Sequence, residues 1–390
     1  MNEPKLRFPE FKGEWEEKTL GEVCDSILVG FPFKGEDITD DASGHPILRA
    51  FSIGEGIIRH GKDYDKYYPY DAEKLKKYEV RNGDIVISMD GSVGKNIAMV
   101  SEKEERNLLI QRVARLRITD YPIHLIFQQI ISQRFKDYAA GEKKGAVIAH
   151  ISQKQIELFP IYIPNSPAEQ QKIASCLSAM DDLIAAQAEK VEDLKEKKTG
   201  LMQQLFPQPG ETTPRLRFPE FTGEWKEYEF GDCFEIGSGR DYKHLDEGHI
   251  PVYGSGGYMC SVNDYLYDGE SACIGRKGTI NNPILLSGKF WTVDTLFYTY
   301  NYVNTTAYFI YLLFQNIDWM KHNEAGGVPS LSKNIIKKIK VFIPSLTEQQ
   351  KISDCLSALD DQIAAETEKH TALKDYKKGL MQQLFPQPAK

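Results

Sequence analysis

Residues 169–209 read EQQKIASCLSAMDDLIAAQAEKVEDLKEKKTGLMQQLFPQP, and residues 348–388 read EQQKISDCLSALDDQIAAETEKHTALKDYKKGLMQQLFPQP. The two stretches align without a gap, Glu348 following Glu169 by 179 positions. Their seam residues recur in alternating steps of four and three. The first seam runs Ile173, Leu177, Met180, Ile184, Gln187, Val191, Leu194, Lys198, Leu201, Leu205. The second runs Ile352, Leu356, Leu359, Ile363, Glu366, His370, Leu373, Lys377, Leu380, Leu384. This is the a/d spacing of a coiled coil. It predicts one long helix per copy, with Pro167 just ahead of the first and Thr347 capping the second, Gln350 lying at the capping-box distance. The LFPQP tail is the stop, because proline cannot continue a helix. About 37 residues at roughly 1.5 Å each give a rod of roughly 55 Å.

A single helix of this kind leaves its seam exposed. Two in one chain point to an antiparallel pair, in which the seam of Ile173, Leu177, Ile184, Gln187, Leu194 and Leu201 packs on the seam of Ile352, Leu356, Ile363, His370, Leu373 and Leu380. Gln187 then lies opposite His370, and such polar seam positions fix register and orientation. A homodimer zipper is the plain alternative.

The repeat extends beyond the helix. PKLRFPEFKGEWEEKTLGEV at 4–23 returns as PRLRFPEFTGEWKEYEFGDC at 214–233, now at an offset of 210. The offset falls from 210 to 179 by the helix, so the second half is shorter by about thirty residues in its middle. A constant frame around a variable insert suggests that the insert does the choosing. The junction LFPQPGETTPRLRFPEF also matches the C-terminus read on into the N-terminus, LFPQPAK then MNEPKLRFPEF. Cyclic pseudo-symmetry of this kind places the two ends of the chain together.

Between the frames lie two variable bodies. The first has strand signals at 45–53 (HPILRAFSI), 83–89, 97–101 and 109–118, a helix from about Ile123 to Ala139, a basic glycine-containing loop and a short strand, LFPIYIP. The second repeats this order: ESACIGRKGTI answers GDIVISMDGSVG with Gly278 at Gly91, TAYFIYLLFQNIDWM answers the helix, AGGVPSLS answers GAVIAHIS, and VFIP answers IYIP. The fold class is α+β, two pseudo-repeated domains separated by two long antiparallel helices. The boundaries are 1–160, 161–209, 210–343 and 344–390.

At 390 residues and 41% apolar composition the chain has room for two or three ordinary cores. It has no run of eighteen apolar residues to span a membrane. Its start, MNEPKLRFPEF, lacks the apolar region of a secretory signal. The six cysteines form no CxxC pair and read as buried thiols of a reducing cytoplasm. The net charge of −8 argues weakly against a general nucleic-acid coat, but the two helical repeats, with 14 acidic and 10 basic residues, carry half of it. A DNA reader on an acidic scaffold is therefore allowed.

Signs of catalysis are missing. GSVGKN at 91–96 has the wrong spacing for a phosphate loop. No HExxH or GxSxG occurs, no glycine-rich methyl-donor loop follows a strand, and the eight histidines do not cluster with cysteines or carboxylates. No catalytic residue and no metal ligand is expected in this chain.

The duplicated frame and variable bodies, with the IP…EQQKI entries (Ile163-Pro164 to Ile173, Ile343-Pro344 to Ile352) and the GLMQQLF exits, resemble the specificity subunit of a Type I restriction–modification enzyme over the whole chain. The resemblance implies two target recognition domains, each reading one half of a bipartite, asymmetric site in double-stranded DNA. It implies a helical pair that sets the spacing and docks two methylation subunits, with restriction subunits joining them. S-adenosylmethionine, ATP and Mg would belong to those partners, not to this chain.

For contacts to DNA the expected residues are Ser92, Lys95 and Asn96 of the glycine loop and Lys143, Lys144 and His150 of the basic loop. Their counterparts are Arg276, Lys277, Thr279 and Asn281, then Ser330 and Lys333; Arg240, Tyr242 and Lys243 follow a GSG turn. Arg112, Arg115 and Arg117 alternate along a strand as phosphate contacts could. Solvated turn residues are the plain alternative for each. At the level of function, the alternatives are an adaptor that binds only protein, or an orphan half of a restriction system that regulates.

Overall fold

In a computed structural model of the chain, residues 3–91, 94–141 and 150–386 are described. The chain forms two compact units, Met1–Gln187 with Lys369–Lys390, and Ala188–Glu368. The first unit thus draws on both ends of the sequence and the second is contiguous.

The two long helices span Pro167–Leu205 and Leu346–Leu384, 39 residues each. Pro167 is the first helical residue rather than the residue before the helix, a position where its missing N–H costs nothing. The caps are Ser166 and Ser345, whose hydroxyls accept from Glu169 and Glu348 N–H at 3.4 Å. Thr347, expected as the second cap, lies inside the helix and contacts Ser345 Oγ instead. Both helices stop two residues ahead of a proline, as the tail requires.

In the first unit Trp15–Thr19 pairs antiparallel with Pro160–Pro164 and closes the insert between them. The insert holds a four-stranded antiparallel sheet in the order Ser26–Val29, Val113–Arg117, Ile85–Ser88, Ile97–Met99. Beside it is a smaller sheet in which His45–Leu48 lies between Lys66–Tyr68, antiparallel, and Leu108–Leu109, parallel. The core packs Ile85, Ile87, Leu116 and Ile97 against Ile126, Ile130 and Phe135.

The second unit repeats this strand order with one strand more. Lys226–Glu229 pairs with Lys340–Ile343. The main sheet runs Glu235–Ser238, Leu296–Tyr300, Ser271–Gly275, Ile284–Leu286. The second sheet sets Glu247–Gly254 between Gly257–Val262 and, in parallel, Lys289–Thr292, whose other edge pairs antiparallel with Tyr267–Asp268.

Several sequence expectations need correction. The strand expected over 45–53 ends at Leu48 and gives way to a helical turn, Ala50–Ser52. The strand expected over 109–118 is two strands, Leu108–Leu109 and Val113–Arg117, separated by a turn in which Arg112 has φ +65°. The helix expected to Ala139 breaks into Ile123–Ile130 and Gln133–Gly141, where Ser132 turns its hydroxyl back onto the Gln129 carbonyl at 2.6 Å. Its counterpart ends at Asn316. Cys176, Cys355, Cys24 and Cys260 are half-buried rather than buried, and all six thiols are free.

The frame motifs clamp the helices in a corresponding way in the two units. Arg7 donates to both oxygens of Glu169 at 2.8 Å, and Arg217 to both oxygens of Glu348 at 2.7 Å. Leu6 N–H donates to the Gln383 carbonyl at 3.0 Å, and Leu216 N–H to the Gln204 carbonyl at 3.0 Å. Trp15 meets Phe385 edge-on at 6.3 Å, as Trp225 meets Phe206 at 6.2 Å. In each unit the start of one long helix therefore packs with the end of the other. Ile173 and Leu177 share a core with Leu384 and Phe385, while Ile352 and Leu356 share one with Met202 and Leu205. Burying Leu177 completely stabilises this junction by roughly 2 kcal/mol.

Polar pairs fix the register of these helix segments. Lys377 pairs with Asp181 in the first unit; in the second, Lys198 Nζ reaches Asp360 Oδ1 at 2.7 Å. Each Asp is also held by the short helix of its insert. Gln128 donates to Asp181 at 2.6 Å and the Tyr308 hydroxyl to Asp360 at 2.9 Å. Among the seam residues, Gln187, Val191 and Lys198 are buried, while Ile184, Leu194, Leu201, Ile363, His370, Leu373 and Leu380 are half-buried.

Candidate nucleic-acid interface

In the first insert the strand Ile85–Ser88 runs into a tight turn at Met89-Asp90-Gly91. Asp90 forms an antiparallel bridge with His150, and the neighbouring Ile151 N–H donates to the Met89 carbonyl at 2.9 Å. Met89 N–H in turn donates to the Arg112 carbonyl at 2.9 Å. Gly94, at φ +78°, lies where any Cβ would come within 3.1 Å of the Lys136 backbone, so glycine is required for the loop to pack on the helix.

Side chains converge on Asp90. Arg112 Nη1 donates to Oδ2 at 2.6 Å, and His150 Nδ1 contacts Oδ1 at 2.6 Å. Burial pushes the Asp90 pKa up, but the bonds from His150 and Arg112 outweigh it and hold the carboxyl below its ordinary range.

The second insert builds the same junction from other side chains. Lys277 forms the antiparallel bridge with Ser330, Leu331 N–H donates to the Arg276 carbonyl at 2.9 Å, and Arg276 N–H donates to the Thr295 carbonyl at 2.8 Å. Position by position, Asp90 answers to Lys277, Arg112 to Thr295 and His150 to Ser330. An open cavity of about 840 Å³ lies here, lined by Arg276, Lys277, Ser330 and Lys333 with Phe297 and Glu324.

The expected residues fall as follows. Lys95 is exposed and Asn96 half-buried beside the turn, and His150 is at its centre. Ser92, Lys143 and Lys144 lie outside the described residues. Arg276, Lys277, Thr279 and Asn281 are all exposed at the corresponding turn. Lys333 is half-buried, donating to the Ile236 carbonyl at 2.8 Å, and burial with Lys337 and Arg276 nearby pulls its pKa down. Arg240 and Lys243 are exposed, while Tyr242 packs on the small core of Val252, Val262 and Trp291.

The alternating arginines part company. Arg115 is buried, donating to the Lys77 and Glu79 carbonyls at 3.1 and 3.0 Å. Arg117 is fixed on both oxygens of Asp84, at 2.8 and 2.6 Å. Their expected role as phosphate contacts is therefore overturned, and Arg112 alone of the three is turned outward. The residues that sequence reasoning missed are Asp90 and Thr295. Only the match of Gly91 to Gly278 pointed to Asp90.

Among the described residues no cluster of His, Cys, Asp and Glu is placed to hold a metal ion, and no helix is long and apolar enough to cross a membrane. What the fold defines is a pair of equivalent surface junctions on one repeated scaffold.

The family model described as the Type I restriction modification DNA specificity domain matches residues 12–196 and 222–375, and the chain belongs to that family. The MjaX type I restriction enzyme specificity subunit of Methanocaldococcus jannaschii is 25% identical over 98% of this chain and 96% of its own length. The MjaVIII specificity subunit of the same organism is 22% identical, covering 83% of this chain and 86% of its own. A crystal structure of the Type I restriction–modification S subunit from M. genitalium shares the fold, with a TM-score of 0.64 at 18% identity, over 99% of this chain and 100% of that one. The chain is thus a specificity subunit of a type I restriction–modification system, a non-catalytic component that works with DNA and the other subunits.

Proposed function

We propose that each variable body reads one half of a bipartite, asymmetric site in double-stranded DNA. The long helices, pairing as an antiparallel coiled coil, set the number of unread base pairs between the halves, and two methylation subunits dock on the helical regions. The observation that carries the reading is the pair of equivalent turns. One backbone junction, repeated, presents Asp90, Arg112 and His150 in the first unit and Lys277, Thr295 and Ser330 in the second. Two readers built alike but with different outward side chains are what an asymmetric site requires, since base identity is told by donor and acceptor patterns.

Docking of a methylation subunit is supported by a cavity of about 1150 Å³ in the first unit, lined by Arg134, Tyr162, Lys374, Lys378 and Met381 among others. Arg134 lies there over the Tyr162 ring at 4.5 Å, and burial lowers its pKa. S-adenosylmethionine is then carried by the methylation subunits, which modify one adenine in each half. Restriction subunits supply the ATP- and Mg-dependent steps.

The test is to co-express the chain with its methylation subunits in a host lacking adenine methylation and to map modified adenines. The expected result is a two-part motif with one modified adenine in each part, in which replacing residues 24–160 with another insert changes one part only. A soluble, stoichiometric complex that leaves no motif would favour the protein-binding adaptor.

A further inference from the structure

The Asp90 junction combines three features that a simple surface ion pair does not require together. The first is a strained backbone. Arg112 has φ +65°, a left-handed conformation that non-glycine residues avoid, and its carbonyl is tied to Met89 N–H at 2.9 Å. The second is a carboxylate with both oxygens occupied, Oδ2 by Arg112 Nη1 and Oδ1 by His150 Nδ1, each at 2.6 Å. The third is asymmetry of exposure. The Asp90 side chain is 21% exposed and the Arg112 side chain 69%. The acid is set in the surface, and the arginine it braces stands out from it.

A guanidinium has five N–H donors in one plane. With Nη1 engaged on Asp90, the remaining donors are presented in a fixed orientation. That costs the protein little further side-chain entropy on binding, which is the advantage of a pre-organised contact. The neighbouring carboxylate also selects the ligand. A phosphate drawn to Arg112 would be brought up beside Asp90, like charge to like charge. A neutral base edge carries no such penalty. Of the four bases, guanine offers the pair of acceptors, N7 and O6, that two parallel N–H donors match; adenine presents an N–H donor at the corresponding position.

We infer that Arg112, braced by Asp90, is the residue that reads one guanine in the half-site taken by the first unit. Asp90 acts as its positioning residue and His150 closes the far side of the brace. This rests on the DNA-reading function proposed above. The second unit supports it by contrast. At the same three backbone positions it carries Thr295, Lys277 and Ser330, so the brace is absent and an exposed lysine stands where the first unit has its acid. The identity of the base read at this position is thereby uncoupled between the two half-sites.

The experiment maps adenine methylation in cells carrying the full chain with its methylation subunits, and compares the unsubstituted complex with Arg112→Lys, Arg112→Ala and Asp90→Asn. Lysine keeps the charge, and with it any phosphate contact, but not the paired donors. The expected result for Arg112→Lys and Arg112→Ala is a motif whose second half is intact and whose first half loses one guanine. Discrimination at that position should fall roughly 5- to 150-fold. Asp90→Asn should relax the same position and no other. An unchanged motif in Arg112→Lys overturns the assignment, because a phosphate contact or a solvated side chain survives that change. A uniform loss over the first half-site in Asp90→Asn overturns the brace and leaves a purely structural clasp. If the unsubstituted complex writes no motif at all, the recognition function fails and takes this inference with it, an outcome distinct from a motif that ignores Arg112.

Discussion

Arg7 holds the carboxylate of Glu169 by two parallel hydrogen bonds of 2.8 Å, and that carboxylate has no exposure to solvent. One residue comes from the LRFPEF motif and the other from the first turn of a long helix 162 positions later. The carboxylate lies at a helix N-terminus, where the dipole favours negative charge, and the bidentate geometry is the one a guanidinium makes best.

Removing the arginine strands the buried charge. Arg7→Ala is expected to destabilise the first unit by about 3 kcal/mol, the scale for breaking a buried pair by deleting one partner. Arg217→Ala should do the same to the second unit, where Trp225 Nε1 gives Glu348 an additional bond at 3.2 Å that softens the loss. Thermal unfolding of the assembled complex checks both. Unfolding temperatures within a degree of the parent's would mean that the clamp holds nothing.

The ends of the chain adjoin in the first unit, where Leu6 N–H meets the Gln383 carbonyl at 3.0 Å. A permutant with its original ends joined and the chain opened between Gly210 and Pro214 is therefore expected to fold and to write the same methylation motif. The cut falls in an exposed turn outside the frame contacts. A permutant that is soluble and assembled yet silent would count against cyclic closure.

Seam residues of the two long helices that meet across the junctions have numbers adding to 557, as Ile173 with Leu384 and Leu205 with Ile352 do. Carried to the middle, this register brings Gln187 opposite His370. Gln187→Cys with His370→Cys should form an intramolecular disulfide under mild oxidation, seen as a mobility change on a non-reducing gel. Moving one cysteine by two positions, to Glu189, should abolish it. Efficient crosslinking at the shifted position alone would overturn the register.

Burial pushes the Cys24 and Cys273 thiols up to about 12 and the Cys233 thiol to about 11. At pH 8 only about one in ten thousand of a thiol with pKa 12 is thiolate, the reactive form. Iodoacetamide at that pH is expected to label the half-buried Cys176, Cys260 and Cys355 and to leave these three until the protein unfolds. Peptide mass mapping reads the difference. Rapid labelling of Cys273 in the folded complex would contradict its burial.

The sequence made the repeated frame legible because helical periodicity and duplicated motifs are local signals. The seam from Ile173 to Leu205 and the return of LRFPEF needed no coordinates. What stayed hidden depended on partners far apart in sequence. Thr347 has the local pattern of a cap, with Gln350 at the capping-box distance, yet the helix begins at Leu346 and Ser345 fills that role. Arg115 and Arg117 alternate with Ala114 and Leu116 as an outward face would, yet they are turned to the Lys77 and Glu79 carbonyls and to Asp84. Arg112 gives no sign in the sequence that its backbone will be left-handed. The junction at Asp90 joins three segments whose closeness only the fold creates.

The discontinuous make-up of the first unit has a consequence for biosynthesis. Ala188–Glu368 is one uninterrupted stretch, and its clamp, Arg217 to Glu348, can close while the chain is still being made. The first unit has its clamp early, but Leu6 must wait for Gln383, which is translated after the whole of Ala188–Glu368. The half that is translated first is therefore completed last. Until then the apolar ends of its first helix, Ile173 and Leu177, lack the cover of Leu384 and Phe385, and they are the surface a chaperone would find.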